Sequence, residues 1–166
     1  RSLQRVHGFQ RLLIFDWDEH HGNGTQEIFW RDGGVFYVSL HRWPFYPGTG
    51  SADETGEGPG ENTTLNFPLP ASVGIDEYMR LASDAISGPI TDFAPEFVMI
   101  SAGFDSHADE SLGGMCLKAE HFAEMTRMLK ALPSAGGRVC SVLEGGYELR
   151  SALPDSVAAH VSALLD

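Results

Sequence analysis

Apolar residues cluster into four short, nearly unbroken runs: "LLIFDWD" (Leu12 to Asp18), "VFYVSL" (Val35 to Leu40), "EFVMISAG" (Glu96 to Gly103) and "RVCSVLEGG" (Arg138 to Gly146). Strands with one wet face alternate; unbroken runs of this length read as strands of a parallel sheet covered on both faces. Between them the period changes. "TQEIFWR" follows the first run, "GIDEYMRLASDAI" sets Tyr78, Leu81 and Ile86 at roughly helical spacing with Asp76 near its start, and "KAEHFAEMTRMLKAL" aligns Phe122, Met125, Met128, Leu129 and Leu132 on one stripe. Strands alternating with helices predict an α/β fold: three layers, a mostly parallel sheet with helices on both faces. The stretch Tyr46 to Pro70 has no period, and its glycine, proline and acidic residues predict a long ordered loop over a site.

Composition narrows the class. With 166 residues, 42% apolar and 20% charged, the chain has the make-up of one soluble globular domain, and no apolar run approaches the ~18 residues of a membrane span. A net charge of −12 argues against direct nucleic-acid binding, which calls for a basic face, and is compatible with a cationic substrate. Cys116 and Cys140 are isolated, so neither a disulfide framework nor a cysteine metal site is expected, and a reducing, cytoplasmic setting is the default reading. The chain opens on Arg1 with no secretory pattern, as a piece of a longer chain would.

In open parallel sheets ligands bind beyond the carboxyl ends of the strands. Asp16, Asp18 and His20 follow the first run, Asp105 the third, Glu144 and Tyr147 the fourth. Residues two apart in extended chain face the same way, so Asp18 and His20 can meet at one point, and Asp105 from a neighbouring strand completes three ligands. Three ligands drawn from His, Asp and Glu, with a further position open, describe a hydrolytic zinc site, although one histidine and two carboxylates also suit iron or cobalt. Each residue alone has a plainer reading: Asp16 and Asp18 as helix-entry carboxylates, the His20–His21 pair as a self-satisfied loop, Asp105 as a turn residue, Tyr147 as an edge aromatic. Their coincidence at one end of successive strands favours a site.

"DWDEHHGNGTQEIF", "YVSLHRWPFYPGTG", "FVMISAGFDSHADESLGG" and "LEGGYEL", in this order, resemble the zinc-dependent histone deacetylase superfamily, especially its class II and acetylpolyamine amidohydrolase-like branches, from about Leu12 to Leu149. The resemblance implies the fold already predicted, in its arginase-like form, and zinc on Asp18, His20 and Asp105. It implies that Tyr147 stabilises the oxyanion, that Asp16 orients a catalytic imidazole, and that His21 and Asn23 support the ligands. A structural potassium ion would involve Asp16, Ser39 and Leu40; Phe45 or Tyr46 would wall the acetyl-lysine channel, with Gly145 and Leu112 also beside the substrate. Leucine at 112, where polyamine-preferring members resemble one another in carrying glutamate, leans toward acetyl-lysine in a protein or peptide such as a histone, and so admits a nuclear setting; Glu110 keeps an acetylpolyamine open.

Two departures stand out. Glu19 occupies a position that looks apolar in relatives, and alternation points it away from the metal. The adjacent histidines that serve the family as general acid and base, upstream of the first zinc motif, have no counterpart; His20 and His21 belong to the metal motif, and His7 reads as a surface residue in a helical lead-in. Residues 1–166 therefore read as the C-terminal portion of one catalytic domain. Further readings are a non-catalytic truncated fragment or metal-binding scaffold, and an arginase-like binuclear hydrolase, against which "LEGGY" speaks. The oligomeric state is not legible.

Overall fold

A computed structural model describes residues 1–166. Its elements are α1 (Ser2–His7), β1 (Leu12–Asp16), α2 (Asn23–Phe29), β2 (Val35–Arg42), β3 (Thr64–Leu69), α3 (Ile75–Ala85), a π turn (Ile86–Ile90) leading into α4 (Thr91–Phe93), β4 (Phe97–Ala102), α5 (Ala119–Lys130), β5 (Val139–Leu143) and α6 (Ala152–Leu165). The five strands form one sheet in the order β3-β2-β1-β4-β5, and every pairing is parallel.

The side chains of each strand split between two faces. Leu13, Phe15, Phe36, Val38, Val98 and Ile100 enter the larger core with α3 and α5, where Tyr78, Phe122, Met125 and Leu129 are buried, and Leu153 and Val157 of α6 pack against it. Leu12, Ile14, Val35 and Tyr37 form a smaller cluster on the other face, beneath Leu3 of α1, Phe9 and Phe29 of α2. Helices on both faces make three layers, as predicted.

Several boundaries differ from the sequence reading. β1 ends at Asp16 rather than Asp18, because Asp18 N–H bonds the Asp16 carboxylate and the chain bends away from the ladder. β2 runs on to Arg42. The expectation of cover on both faces holds for β1 and most of β2, whereas β4 alternates in burial and β5 is largely exposed. The predicted loop from Tyr46 to Pro70 contains a strand, β3, at the sheet edge, where Pro68 is tolerated. No element was expected over α6, whose small apolar residues lie all round the helix.

Register places the site. Asp16 pairs with Ser39 of β2 and Ser101 of β4, and Ala102 pairs with Leu143, so β1, β4 and β5 end at one level. The residues just beyond them leave the sheet together.

Candidate functional site

Asp18, His20 and Asp105 meet beyond that edge. His20 Nδ1 lies 3.0 Å from both Asp18 Oδ1 and Asp105 Oδ2, and one ligand atom from each residue falls within 4.8 Å of the others. The local chain explains the approach. Asp18 N–H donates to Asp16 Oδ1 at 3.1 Å and His20 N–H donates to Asp18 Oδ1 at 2.8 Å, two successive Asx turns that fold the segment after β1 over its own edge. The plainer reading of these aspartates as helix-entry carboxylates does not hold, since α2 is entered at Gly22 without a side-chain cap; their carboxylates instead close the turns that aim the chain at Asp105.

Backbone amides complete the carboxylates' surroundings. Asp105 Oδ1 accepts Glu19 N–H at 2.9 Å and Asp18 Oδ2 accepts Gly145 N–H at 2.9 Å. A Cβ on Gly145 would run into both the Asp105 and the Asp18 carboxylates, so the "LEGGY" loop seats its backbone directly on the pair.

The charges are unbalanced in favour of a cation. Hydrogen bonds to Asp105 and Asp18 push the His20 imidazole up to about 10, which marks a pocket whose two carboxylates favour a positive charge. Burial raises Asp105, with the Asp18 charge adding to it. Burial also works to raise Asp18, but hydrogen bonds from the His20 ring and backbone and from Gly145 keep it below the usual carboxylate range. Two carboxylates and one imidazole, clustered with Asp105 buried and His20 half-buried, are a donor set for a borderline divalent metal.

Asp16 is buried at 3% exposure, accepts the Tyr37 hydroxyl at 3.0 Å, and belongs to no ion pair; burial, then the Asp18 charge, drives its pKa well up. Ser39, its register partner, has its hydroxyl 2.9 Å from His41 Nδ1, and the Leu40 carbonyl accepts the Tyr78 hydroxyl at 3.4 Å. Asp16, Asp18 and His20 also line a polar cavity of about 190 Å³ with Thr25, Ser101 and Glu144. Thr25 and Ser101 were inside quoted motifs, but nothing in their residue type singled them out.

His21 lines the same cavity, but its ring nitrogens bond away from the triad: Nδ1 meets Thr49 Oγ1 at 2.8 Å, Nε2 meets Gln26 Oε1 at 2.9 Å, and burial lowers its pKa. Gln26 in turn donates to Glu54 at 2.6 Å, fixing the acidic loop over α2. Asn23 is exposed at the start of α2 and lines the shallow cavity there with Gln26, Trp30 and Glu54 rather than the triad. Phe45 stacks on the His20 ring at 5.3 Å, and Tyr46, 76% exposed, meets the same ring edge-on at 6.2 Å.

Tyr147 is 49% exposed, and its hydroxyl bonds no other group of the chain; burial, then the carboxylates of Asp105 and Asp18, raises its pKa, which keeps the phenol a proton donor. Leu112 is 71% exposed. Glu110, considered above for a ligand's ammonium, is not available: it is buried, and its carboxylate accepts the backbone N–H groups of Ser111, Tyr147 and Glu148 at 2.7, 2.8 and 3.2 Å. It braces the Tyr147 loop instead. Glu19 is also buried, in an ion pair with Arg42, so alternation away from the triad ends in a partner. Both roles depend on loops that residue type alone does not bring together.

Comparison with known proteins agrees with this picture. The histone deacetylase domain family matches residues 1–164. A probable deacetylase of Archaeoglobus fulgidus is 43% identical over 95% of this chain and 44% of its own length, and histone deacetylase 6 of Caenorhabditis elegans is 47% identical over 91% of this chain and 16% of its own. Among solved structures, the HDA15 HD domain superposes with a TM-score of 0.88 at 43% identity, covering 97% of this chain and 46% of that one, and the histone deacetylase Clr3 with 0.87 at 41%, covering 99% and 28%. The chain therefore spans less than half the length of these relatives.

Proposed function

Because the chain belongs to the histone deacetylase family, we propose that the protein carrying it is a zinc-dependent amidohydrolase that removes acetyl groups from lysine side chains of proteins such as histones. The observation that carries this is the meeting of Asp18, His20 and Asp105 at the strand ends, with Phe45 stacked on one ligand and the Tyr147 loop bonded to another. Those three residues would hold the zinc ion, and their two carboxylates supply the negative charge it needs. When bound, zinc supplies Lewis acidity that polarises the acetyl carbonyl and lowers the pKa of water.

The chain's own residues then have definite tasks. Tyr147, a protonated phenol with a free hydroxyl, donates to the carbonyl oxygen as negative charge develops on it. Glu110 holds the Tyr147 and Glu148 amides and so fixes where that phenol starts from. Phe45 and Tyr46 offer aromatic faces to the aliphatic stem of lysine, and the glutamate-free rim at Leu112 favours acetyl-lysine over an acetylpolyamine. Asp16, a buried carboxylate outside any ion pair, with Ser39 and Leu40, would suit a structural potassium ion, which would offset the charge burial disfavours. Gly145 shapes the floor by its lack of a side chain. His21 and Asn23 act at a distance, through the Thr49 and Gln26 contacts and the start of α2. The adjacent-histidine acid/base of the family lies, in this reading, outside residues 1–166, which form the C-terminal portion of the domain.

The test is the full-length protein with and without Asp105→Ala. The unsubstituted protein is expected to bind one zinc per chain and deacetylate an acetyl-lysine peptide, and the variant to lose both. Wild-type turnover by the variant would sink the assignment.

A further inference from the structure

Glu19 is the motif residue that the chemistry above leaves unused. It stands between two proposed metal ligands, yet its carboxylate points elsewhere and is 1% exposed. A carboxylate so buried is tolerable as an anion only with partners. It has two, one at the end of β2 and one in the loop after β4. Oε1 accepts Arg42 Nη1 at 3.1 Å, and Oε2 accepts the Gly114 N–H at 3.1 Å.

Arg42 ends β2. Its guanidinium carbon lies 4.2 Å from the centre of the Phe45 ring, and Phe45 stacks on His20 with 27° between the planes. Gly114 closes the loop that carries exposed Leu112, and the loop rests directly on Glu19: a Cβ on Gly113 would run into the carboxylate. Arg42 also binds the Glu19 backbone, its N–H donating to the Glu19 carbonyl at 2.8 Å. Neutralising Arg42 alone would not require this arrangement, because that side chain is itself partly exposed (26%) and water can solvate it. What the buried carboxylate adds is a link between the end of β2 and the loop that carries Leu112.

We propose that Glu19 is a positioning residue, fixing the separation of the two walls of the acyl-lysine channel, Phe45 on the Arg42 side and Leu112 on the Gly114 side. The role rests on the deacetylase reading of the site. An aliphatic stem in a slot gains from walls held at the right distance before it arrives, so losing the link weakens substrate binding more than it slows the chemical step.

The experiment uses the full-length protein with Glu19→Val, Glu19→Gln, Arg42→Lys and the Glu19→Val/Arg42→Lys pair. Readouts are kcat and KM on an acetyl-lysine peptide, zinc content, and amide hydrogen exchange of segments 42–46 and 110–116. Glu19→Val is expected to raise KM about tenfold, the scale of one charged hydrogen bond, while kcat stays within about twofold and zinc content is unchanged. Arg42→Lys keeps the charge but loses the flat face over Phe45 and should raise KM similarly, with the double variant no worse than the worse single. Glu19→Gln, nearly isosteric, keeps an acceptor for Gly114, should fold wherever Glu19→Val does not, and should fall between wild type and Glu19→Val. Exchange in both segments should speed up in Glu19→Val. An unchanged KM, a fall in kcat alone, loss of zinc, or additive effects in the double variant would overturn the proposal. If the unsubstituted protein does not turn over the peptide, the deacetylase reading fails by itself. The exchange data then decide the link: faster exchange in both segments upholds it, and unchanged exchange overturns it.

Discussion

At the scale of single residues, the site depends on what is absent at 145 as much as on what is present at 18, 20 and 105. Gly145→Ala places a methyl group against both carboxylates without demanding an unusual backbone angle. The fold should survive while zinc affinity drops roughly 10- to 100-fold, the range typical of disturbed ligand supports; competition with a chelating dye measures it, and unchanged affinity would refute the close packing. A second residue acts on stability. His160 bridges Thr126 Oγ1 at 2.7 Å and Ser141 Oγ at 2.8 Å, and Thr126 spends its own proton on the Phe122 carbonyl, so the ring is assigned Nδ1–H with Nε2 accepting. Burial lowers its pKa. The unfolded chain binds this proton near pH ~6.5 while the folded ring stays neutral, so the contribution is complete above that pH and is lost as pH falls from about 6.5 through the folded value. The stability gap between wild type and His160→Gln should therefore narrow from pH 7.5 to 5.5 in thermal unfolding; parallel curves would contradict it. Asp18, His20 and Asp105 were legible because each follows an apolar run. The roles of Glu110 and His160 were not, since a carboxylate that braces amides and a histidine that bridges hydroxyls look like any others until the chain is folded.

Elements differ in the same way. β1, β2, β4 and α5 declare themselves because burial on one or both faces selects apolar residues at a period, and α3 because it is amphipathic. β3 does not: an edge strand carrying Asn66 and Pro68 after a glycine-rich acidic stretch satisfies only one ladder, so little constrains its composition. α6 lacks a polar stripe because one side packs on α5, with His160 reaching Ser141 of β5, while the other leaves Val161 and Leu165 exposed. The element contacts that hold this half of the molecule together meet at Phe122 of α5, which is fully buried with its ring 5.9 Å from Trp17 and 5.0 Å from Phe104. Trp17 precedes Asp18 and Phe104 precedes Asp105, so the helix supports both carboxylates from below. Phe122→Ala is expected to cost about 3–5 kcal/mol in urea unfolding. A loss below about 1 kcal/mol would mean that α5 is not the support for the ligand segments.

The whole molecule has one side unlike the rest. β5 pairs only with β4, so its other edge presents free backbone groups, with Val142 at 46% and Leu143 at 60% exposure beside it and Leu149 at 72% nearby. An open apolar edge is a template for pairing with another chain. The net charge of −12 opposes this, but at 0.15 M salt repulsion is screened within about 8 Å, whereas strand pairing acts at contact. These 166 residues by themselves should thus associate increasingly with protein concentration, and more at 0.5 M than at 0.05 M salt. Val142→Lys, which adds a charge beside the edge and touches none of the proposed ligands, should suppress that association in sedimentation velocity. A wild-type chain that stays monomeric at both salt concentrations would show that α6 and the loop after β5 already shield the edge.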